Sequence, residues 1–327
     1  MKPHPQQDFR RSRSHGFATL PKLARLAIRT ICVGVLLSVV TMASFTRGAD
    51  EDPLKVEVAR AEAAYQAETE SLKKAILAGL DKREEQARKS ANKDWVDLVK
   101  EDRRGFDIYQ RIPPATPRAI WQQTAKSRSN YANTLSNVAG KYAKTGNDNA
   151  ATQIENQAKE FLRRMPPINL DQFALLPNAD LDTDRFATWR YTMQAPLADW
   201  VKPNFNDSGW EIGSAPFGAG KDYPTVRTAW RTKQIWMRRV FELPADKLTR
   251  VSIRANHDDF ASIFINGIEA RTMKGWSENR YRNVLISLPA AKSLKPGLNT
   301  IAVTCTNIGF GSFIDVGIID EPPPGKK

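Results

Sequence analysis

Any chemistry in this chain has to be sought first around one short stretch, His257-Asp258-Asp259-Phe260. Two adjacent carboxylates could serve acid–base work or hold a cation. On a strand, neighbouring side chains point to opposite faces, so this pair cannot flank one glycosidic bond. Its reading is local instead: the carboxylates anchor backbone N–H groups where a strand meets a turn, or touch a cation or ligand. No cofactor is implied, although the pair leaves room for a structural calcium ion. His257 is the only histidine beyond residue 15, and no Gly-x-Ser-x-Gly elbow accompanies it. Neither a Glu-x-x-His helix nor a Cys/His cluster is present. The residue inventory therefore points away from an enzyme.

Aromatic side chains carry the other candidate chemistry. A sugar ring offers an apolar C–H face that packs on Trp or Tyr, while polar side chains read its hydroxyls. Trp230, Trp276, Tyr223 and Tyr281 stand in polar segments, with Arg227, Arg231, Lys274, Asn279 and Arg280 near them. The candidate ligand-binding set is Trp230, Trp276, Tyr223, Tyr281, Arg227, Asn279, Asp258 and Asp259; packing in a core is the competing reading for each ring. Cys305 lies in an apolar alternation and reads as a small buried residue.

Charge narrows the partners. The 327 residues carry a formal net charge of +13. Residues 1–49 hold eight Lys/Arg and one acid, which leaves 41 basic and 35 acidic residues elsewhere, a balance of +6. That excess is interspersed with acids, whereas phosphate binding needs a concentrated basic surface, so nucleic acid is excluded as a partner. The basic front is followed by an uncharged run from Thr30 to Phe45, the pattern of a signal peptide or signal anchor. Export would place residues 50–327 outside the cytoplasm, either secreted, periplasmic or at the cell surface, with a membrane tie only if the segment stays uncleaved.

The elements that must position the candidate residues follow from periodicity. Leu54, Val58, Ala61, Tyr65, Leu72, Ile76 and Leu80 recur at helical steps, opposite a Lys, Arg, Glu and Gln face expected in solvent. Pro53 suits a first turn, and the helix reaches about Ser90. A second helix passes through Trp95, Val99 and Phe106; Pro113, Pro114 and Pro117 interrupt; helices follow over 118–144 and 148–164. An offset of 55 maps Leu80, Lys89, Asn92, Val99 and Phe106 onto Leu135, Lys144, Asn147, Ile154 and Phe161. The spacing predicts two repeated helical hairpins, coiled-coil-like, serving as a spacer or oligomerisation stalk. Beyond Pro166-Pro167 the period drops to two: Val251, Ile253 and Ala255; Ile263 and Ile265; Ile301, Val303 and Cys305. Short alternating runs with Gly, Pro and Asn punctuation predict an antiparallel β-sandwich, and Asn266-Gly267 is a type I′ hairpin signal.

Several pieces then carry a resemblance. Trp200, Phe205-Asn206-Asp207-Ser208-Gly209-Trp210, Ala215-Pro216-Phe217-Gly218-Ala219-Gly220, Trp236-Met237-Arg238-Arg239-Val240-Phe241, Asp258-Asp259 with Asn266-Gly267, and Pro296-Gly297-Leu298-Asn299 with Asp315-Val316-Gly317 stand in order over 185–320. The series resembles the galactose-binding-like jelly roll, a module attached to beta-galactosidases and other secreted glycoside hydrolases. The resemblance implies that Trp200, Trp210 and Trp236 pack in the core. Two departures are His257 before the Asp pair and Phe260 where the family often has Gly. Such modules take varied ligands, so the fold names none.

The resulting expectation is an α plus β multidomain chain: a targeting segment at 1–49, helical hairpins at 50–164, a linker at 165–184, a sandwich at 185–322 and a disordered tail at 323–327. Its function would be carbohydrate binding without catalysis. Alternatives are a structural or protein–protein interaction module without glycan affinity, or an accessory domain of a glycoside hydrolase system. The partners implied are a glycan at the sandwich and a homo-oligomer or protein partner through the helices.

Overall fold

The structure, a computed structural model, describes residues 52–179, 187–220, 225–309 and 311–321. The targeting segment, Tyr223 and the 323–327 tail lie outside the described residues. The described residues all belong to one compact unit. Among the described residues no helix is long and apolar enough to cross a membrane.

Helix α1 (Pro53–Lys89) starts at Pro53, with the Asp52 carboxylate accepting the Leu54 N–H at 2.9 Å. Helix α2 (Lys93–Tyr109) is capped by Asn92, which accepts from Trp95 N, and α4 (Asp148–Arg164) by Asn147, which accepts from Ala150 N. Between them runs α3 (Arg118–Lys144). The helix bounds follow the 55-residue offset: α1 and α3 end on Lys89 and Lys144, and Asn92 and Asn147 cap α2 and α4. Both caps satisfy an N–H that the helix itself cannot. The apolar stripe divides its work. Val58 joins Tyr131, Leu135, Val138 and Tyr142 of α3, with Tyr65 stacked on Tyr131 at 5.2 Å; Ile76 and Leu80 join Val99 and Phe106 of α2.

Among the described residues, the C-terminal half is a β-sandwich of two six-stranded sheets. One sheet contains β4 (Phe217–Ala219), β5 (Thr228–Ala229), β7 (Val251–Asp258), β10 (Arg282–Leu285) and β12 (Ser312–Asp320) in the order β10-β7-β12-β4-β5, with β1 (Phe173–Leu176) also paired to β12. The other contains β2 (Thr188–Thr192), β3 (Glu211–Ser214), β6 (Gln234–Leu243), β8 (Phe260–Ile265), β9 (Ile268–Met273) and β11 (Gly297–Thr306) in the order β3-β2-β6-β11-β8-β9. Among the described residues, all pairings are antiparallel except β4 with β5. A short α5 (Leu288–Ser293) precedes β11. The alternating residues do what period two requires: Ile253, Ala255, Ile263, Ile265, Ile301, Val303 and Cys305 fill the space between the sheets. Burial raises the Cys305 thiol well above its ordinary pKa, as expected of an inert core cysteine.

The motif residues converge as a packing unit. Arg238 donates from Nε to Asp207 Oδ2 at 2.7 Å and also reaches the Trp200 carbonyl, beneath the Phe205 ring. Trp200 stacks on Trp210 with centroids 6.4 Å apart. Asn266 and Gly267 take φ of 50° and 84°, the left-handed pair a type I′ hairpin needs. Strand β12 is buried along its whole length; β1 pairs with its C-terminal end, and Leu176, Asn178 and Ala179 lie over its Gly317 and Asp315. Gly317 is required there: a Cβ would lie 2.8 Å from the Leu176 carbonyl oxygen.

One expectation needs correction. The charged face of α1 is not wholly in solvent, because Arg83 is withdrawn into a contact with the sandwich. Its guanidinium donates to Glu242 of β6 at 2.7 and 2.9 Å and to Asp102 of α2 at 2.9 Å. Trp95 Nε1 donates to the same Glu242 oxygen at 2.7 Å. Side-chain exposure is 13% for Arg83, 2% for Asp102 and 8% for Glu242. Arg190 of β2 pairs with Asp94 of α2 at 3.0 Å, and Arg118 of α3 pairs with the fully buried Asp320 of β12. The helical hairpins are thereby clamped onto the sandwich.

Candidate functional site

The connections at one end of the sandwich are tied together by backbone bonds. Asp259 N donates to Thr306 O at 3.0 Å, Asn307 N to Lys233 O at 2.8 Å, and Ser277 N to His257 O at 3.0 Å. Asp259 lies in the break between β7 and β8, and its Oδ2 accepts the Ile308 N–H at 2.7 Å. Asp259 thus takes the turn-anchoring role. Since Asp259 is not on a strand, the alternation of strand faces does not apply to it. His257 Nδ1 faces the Asp259 carbonyl at 2.8 Å. A carbonyl can only accept, so the proton sits on Nδ1. Burial lowers the His257 pKa, the neutral ring being favoured where water is excluded.

The loop between β9 and β10 closes over this framework. Ser277, 2% exposed, accepts from His257 N at 2.9 Å and donates to Asn256 Oδ1 at 2.5 Å. Its neighbour Trp276 stands 53% exposed. Asn279 is exposed with φ 55°, and Arg280 N returns to Ser277 O at 3.1 Å. Lys274 and Arg280 flank the indole in sequence as exposed cations. A bulky ring is thus held in water by a loop whose next residue is locked into the core.

The other candidates do not join it. Trp230 is fully buried and packs in the sandwich core, which corrects its reading as a ligand contact: no ligand reaches a ring with no accessible surface. Arg227 is exposed beside β5, with its N–H on Pro216 O at 2.8 Å. Because β5 and β10 are opposite edges of one sheet, Arg227 and the Trp276 loop are separated by the intervening strands, about 19 Å at the usual spacing. Tyr281 is half-buried, and its hydroxyl donates to Asp315 Oδ2 at 2.6 Å across the outer face of that sheet. The structure keeps Trp276, Asn279, Asp258 and Asp259 at one end, while Trp230 lies in the core, Tyr281 against Asp315 and Arg227 beside β5. Among the described residues no group of three or more His, Cys, Asp or Glu side chains converges as a metal site.

A second concavity had no counterpart in the sequence reading. A cleft of about 780 Å³ opens where the α2–α3 connection and segment 164–177 meet the sandwich. Five arginines line it, Arg111, Arg118, Arg128, Arg164 and Arg254, and among the described residues no Asp or Glu does. Aromatic surface comes from Tyr109, under Arg111 at 4.3 Å, and from Trp121, edge-on to Phe173 at 6.4 Å.

No protein-family model matches the chain. Among curated proteins, an alpha-L-rhamnosidase of Streptomyces avermitilis is 29% identical over 121 residues, which are 36% of this chain and 12% of that protein. Among solved structures, a beta-glucuronidase of Bacteroides uniformis is 22% identical over 42% of this chain and 18% of its own, with a TM-score of 0.33. A beta-glycosidase from Bacteroides vulgatus is 16% identical over 40% of this chain and 20% of its own, with a TM-score of 0.28. Likeness at these TM-scores decides nothing about fold or ligand. The sequence likeness is to a small part of a glycoside hydrolase, and it covers about a third of this chain.

Proposed function

We propose that this chain is an exported carbohydrate-binding protein without catalytic activity, in which a galactose-binding-like sandwich holds the glycan on the Trp276 loop and the helical hairpins act as a spacer. One observation carries the reading: Trp276 is 53% exposed while the adjoining Ser277 is 2% exposed and bonded to β7. Exposing an indole on a solvent-facing loop forgoes about 2 kcal/mol of burial. A ring presented on a pre-ordered loop loses little freedom when a sugar face packs on it, so more of the contact energy appears as affinity. Asn279 and Arg280 supply amide and guanidinium donors for hydroxyls within four residues of the ring. The partial likeness to a protein named alpha-L-rhamnosidase supports an association with sugars.

The test is a panel of immobilised glycans probed with the full chain and with Trp276→Ala. Binding to at least one neutral glycan, weakened about tenfold or more by the substitution, is the expected result; a removed aromatic anchor costs about 2 kcal/mol. Failure to bind any neutral glycan in the panel, or equal binding by the variant, refutes the loop as the site. Turnover of any glycan by the purified chain refutes the absence of catalysis.

A further inference from the structure

The cleft beside the helical hairpins holds a cation whose charge is not balanced by a carboxylate. Arg128 of α3 is partly buried, and its Nη1 donates to the Pro166 carbonyl at 3.1 Å. Tyr65 is its other electrostatic partner, and desolvation lowers its pKa. Among the described residues, no acid lies within ion-pair range of it, whereas Arg118 has Asp320 and Arg164 has Glu160. A desolvated cation normally has a partner anion.

The adjoining residue gives a second, independent sign. Ser127 is 3% exposed and its Oγ has no hydrogen-bond partner. It lines a cavity of about 50 Å³ that shares Arg128, Gln110, Ile112 and Met165 with the lining of the cleft. A buried hydroxyl with nothing to bond is costly unless water or a ligand reaches it. The cleft therefore offers the planar donor fork of Arg128, and the small cavity adjoining it holds an unbonded hydroxyl next to that arginine.

We propose that this cleft is a second binding site, for an acidic oligosaccharide, and that Arg128 receives a sugar carboxylate there. The site stands on the geometry; its ligand class rests on the carbohydrate reading above. A guanidinium matches a carboxylate through two parallel N–H···O bonds, which a neutral sugar cannot supply. Trp121 and Tyr109 offer ring faces for the pyranose C–H surface. The volume lies within the range of small-ligand clefts. An acidic peptide fits less well: Pro114, Pro166, Pro167 and Pro177 form much of the wall, and proline has no N–H with which to pair an extended backbone.

The experiment is calorimetric titration of the full chain with galacturonate and mannuronate tetrasaccharides, their methyl esters, and an oligoglutamate peptide. The expected result is binding of a free uronate tetrasaccharide but not of its ester. Arg128→Met should weaken it about ten- to hundredfold, the worth of a charged hydrogen-bonding pair. Arg128→Lys keeps the charge without the fork and should fall between. Thermal melting checks folding: Arg128→Met removes a desolvated cation, so it should melt no lower than wild type without ligand, and only wild type should gain stability from the uronate. Failure of both uronates to bind, equal binding by Arg128→Met, or tighter binding of the peptide overturns the proposal. Trp276→Ala separates the two sites. It should leave uronate binding unchanged, so a chain that binds uronates through Arg128 but no neutral glycan would keep this site and lose the loop reading.

Discussion

Replacing Arg83 by methionine tests whether the helices and the sandwich are one mechanical body. The guanidinium satisfies two carboxylates, with contacts of 2.7 and 2.9 Å to Glu242 and 2.9 Å to Asp102. Methionine retains most of the aliphatic stem, so packing is largely kept. It leaves Asp102 and Glu242, both nearly inaccessible, without their shared cation. Breaking a buried ionic cluster by removing one partner costs about 3–5 kcal/mol. For a unit of this size each kcal/mol shifts Tm by about 2–4 °C, so the melting point should fall by roughly 6–20 °C. Glu242→Gln is the milder change: the amide oxygen still accepts from Trp95 Nε1, and Arg83 keeps Asp102. Far-ultraviolet circular dichroism against temperature measures both, and the account requires the Arg83→Met loss to exceed that of Glu242→Gln. An Arg83→Met melting point within about 2 °C of wild type would refute the clamp as a source of stability.

Three other outcomes follow from single contacts. Asn92→Ala and Asn147→Ala each remove a helix cap, and should each cost about 1 kcal/mol in urea unfolding; no loss from either would show that the repeat's capping asparagines are dispensable. Gly317→Ala forces a methyl against the Leu176 carbonyl at 2.8 Å and should cost about 1–3 kcal/mol by the same assay. His257 has a folded pKa below its ordinary value of 6.5, so below that pH the unfolded chain binds more protons than the folded one. Stability should therefore be complete above about pH 6.5 and decline as pH falls toward the folded value. His257→Gln should flatten the melting curve series across pH 7.5 to 5.5.

Much of the frame was legible because it rests on local periodicity. The helix ends fell where prolines and capping asparagines put them, and the alternating apolar residues became the inner faces of the two sheets. The Asn-Gly turn was readable because only a residue pair tolerant of positive φ fits it. What escaped is what tertiary packing alone decides. Trp230, between Ala229 and Arg231, has the sequence surroundings of an exposed loop ring, yet the short β5–β6 connection turns it inward. Arg83 sits among solvated neighbours and gave no sign that Glu242, 159 residues away, would draw it in. The arginines of the cleft come from five separate positions between 111 and 254, with no local pattern to unite them. Asn266 was read for its turn alone, although its amide also donates to Ser293 O and Asn299 Oδ1, both at 2.8 Å.

The central claim is that a sugar packs on the indole of Trp276. The direct measurement is acrylamide quenching of tryptophan fluorescence with and without a glycan that the chain binds, in wild type and in Trp276→Phe. Wild type should lose its most quenchable component when glycan is added, and the variant should lack that component from the start. Equal glycan protection in both proteins would place the sugar elsewhere and contradict the account.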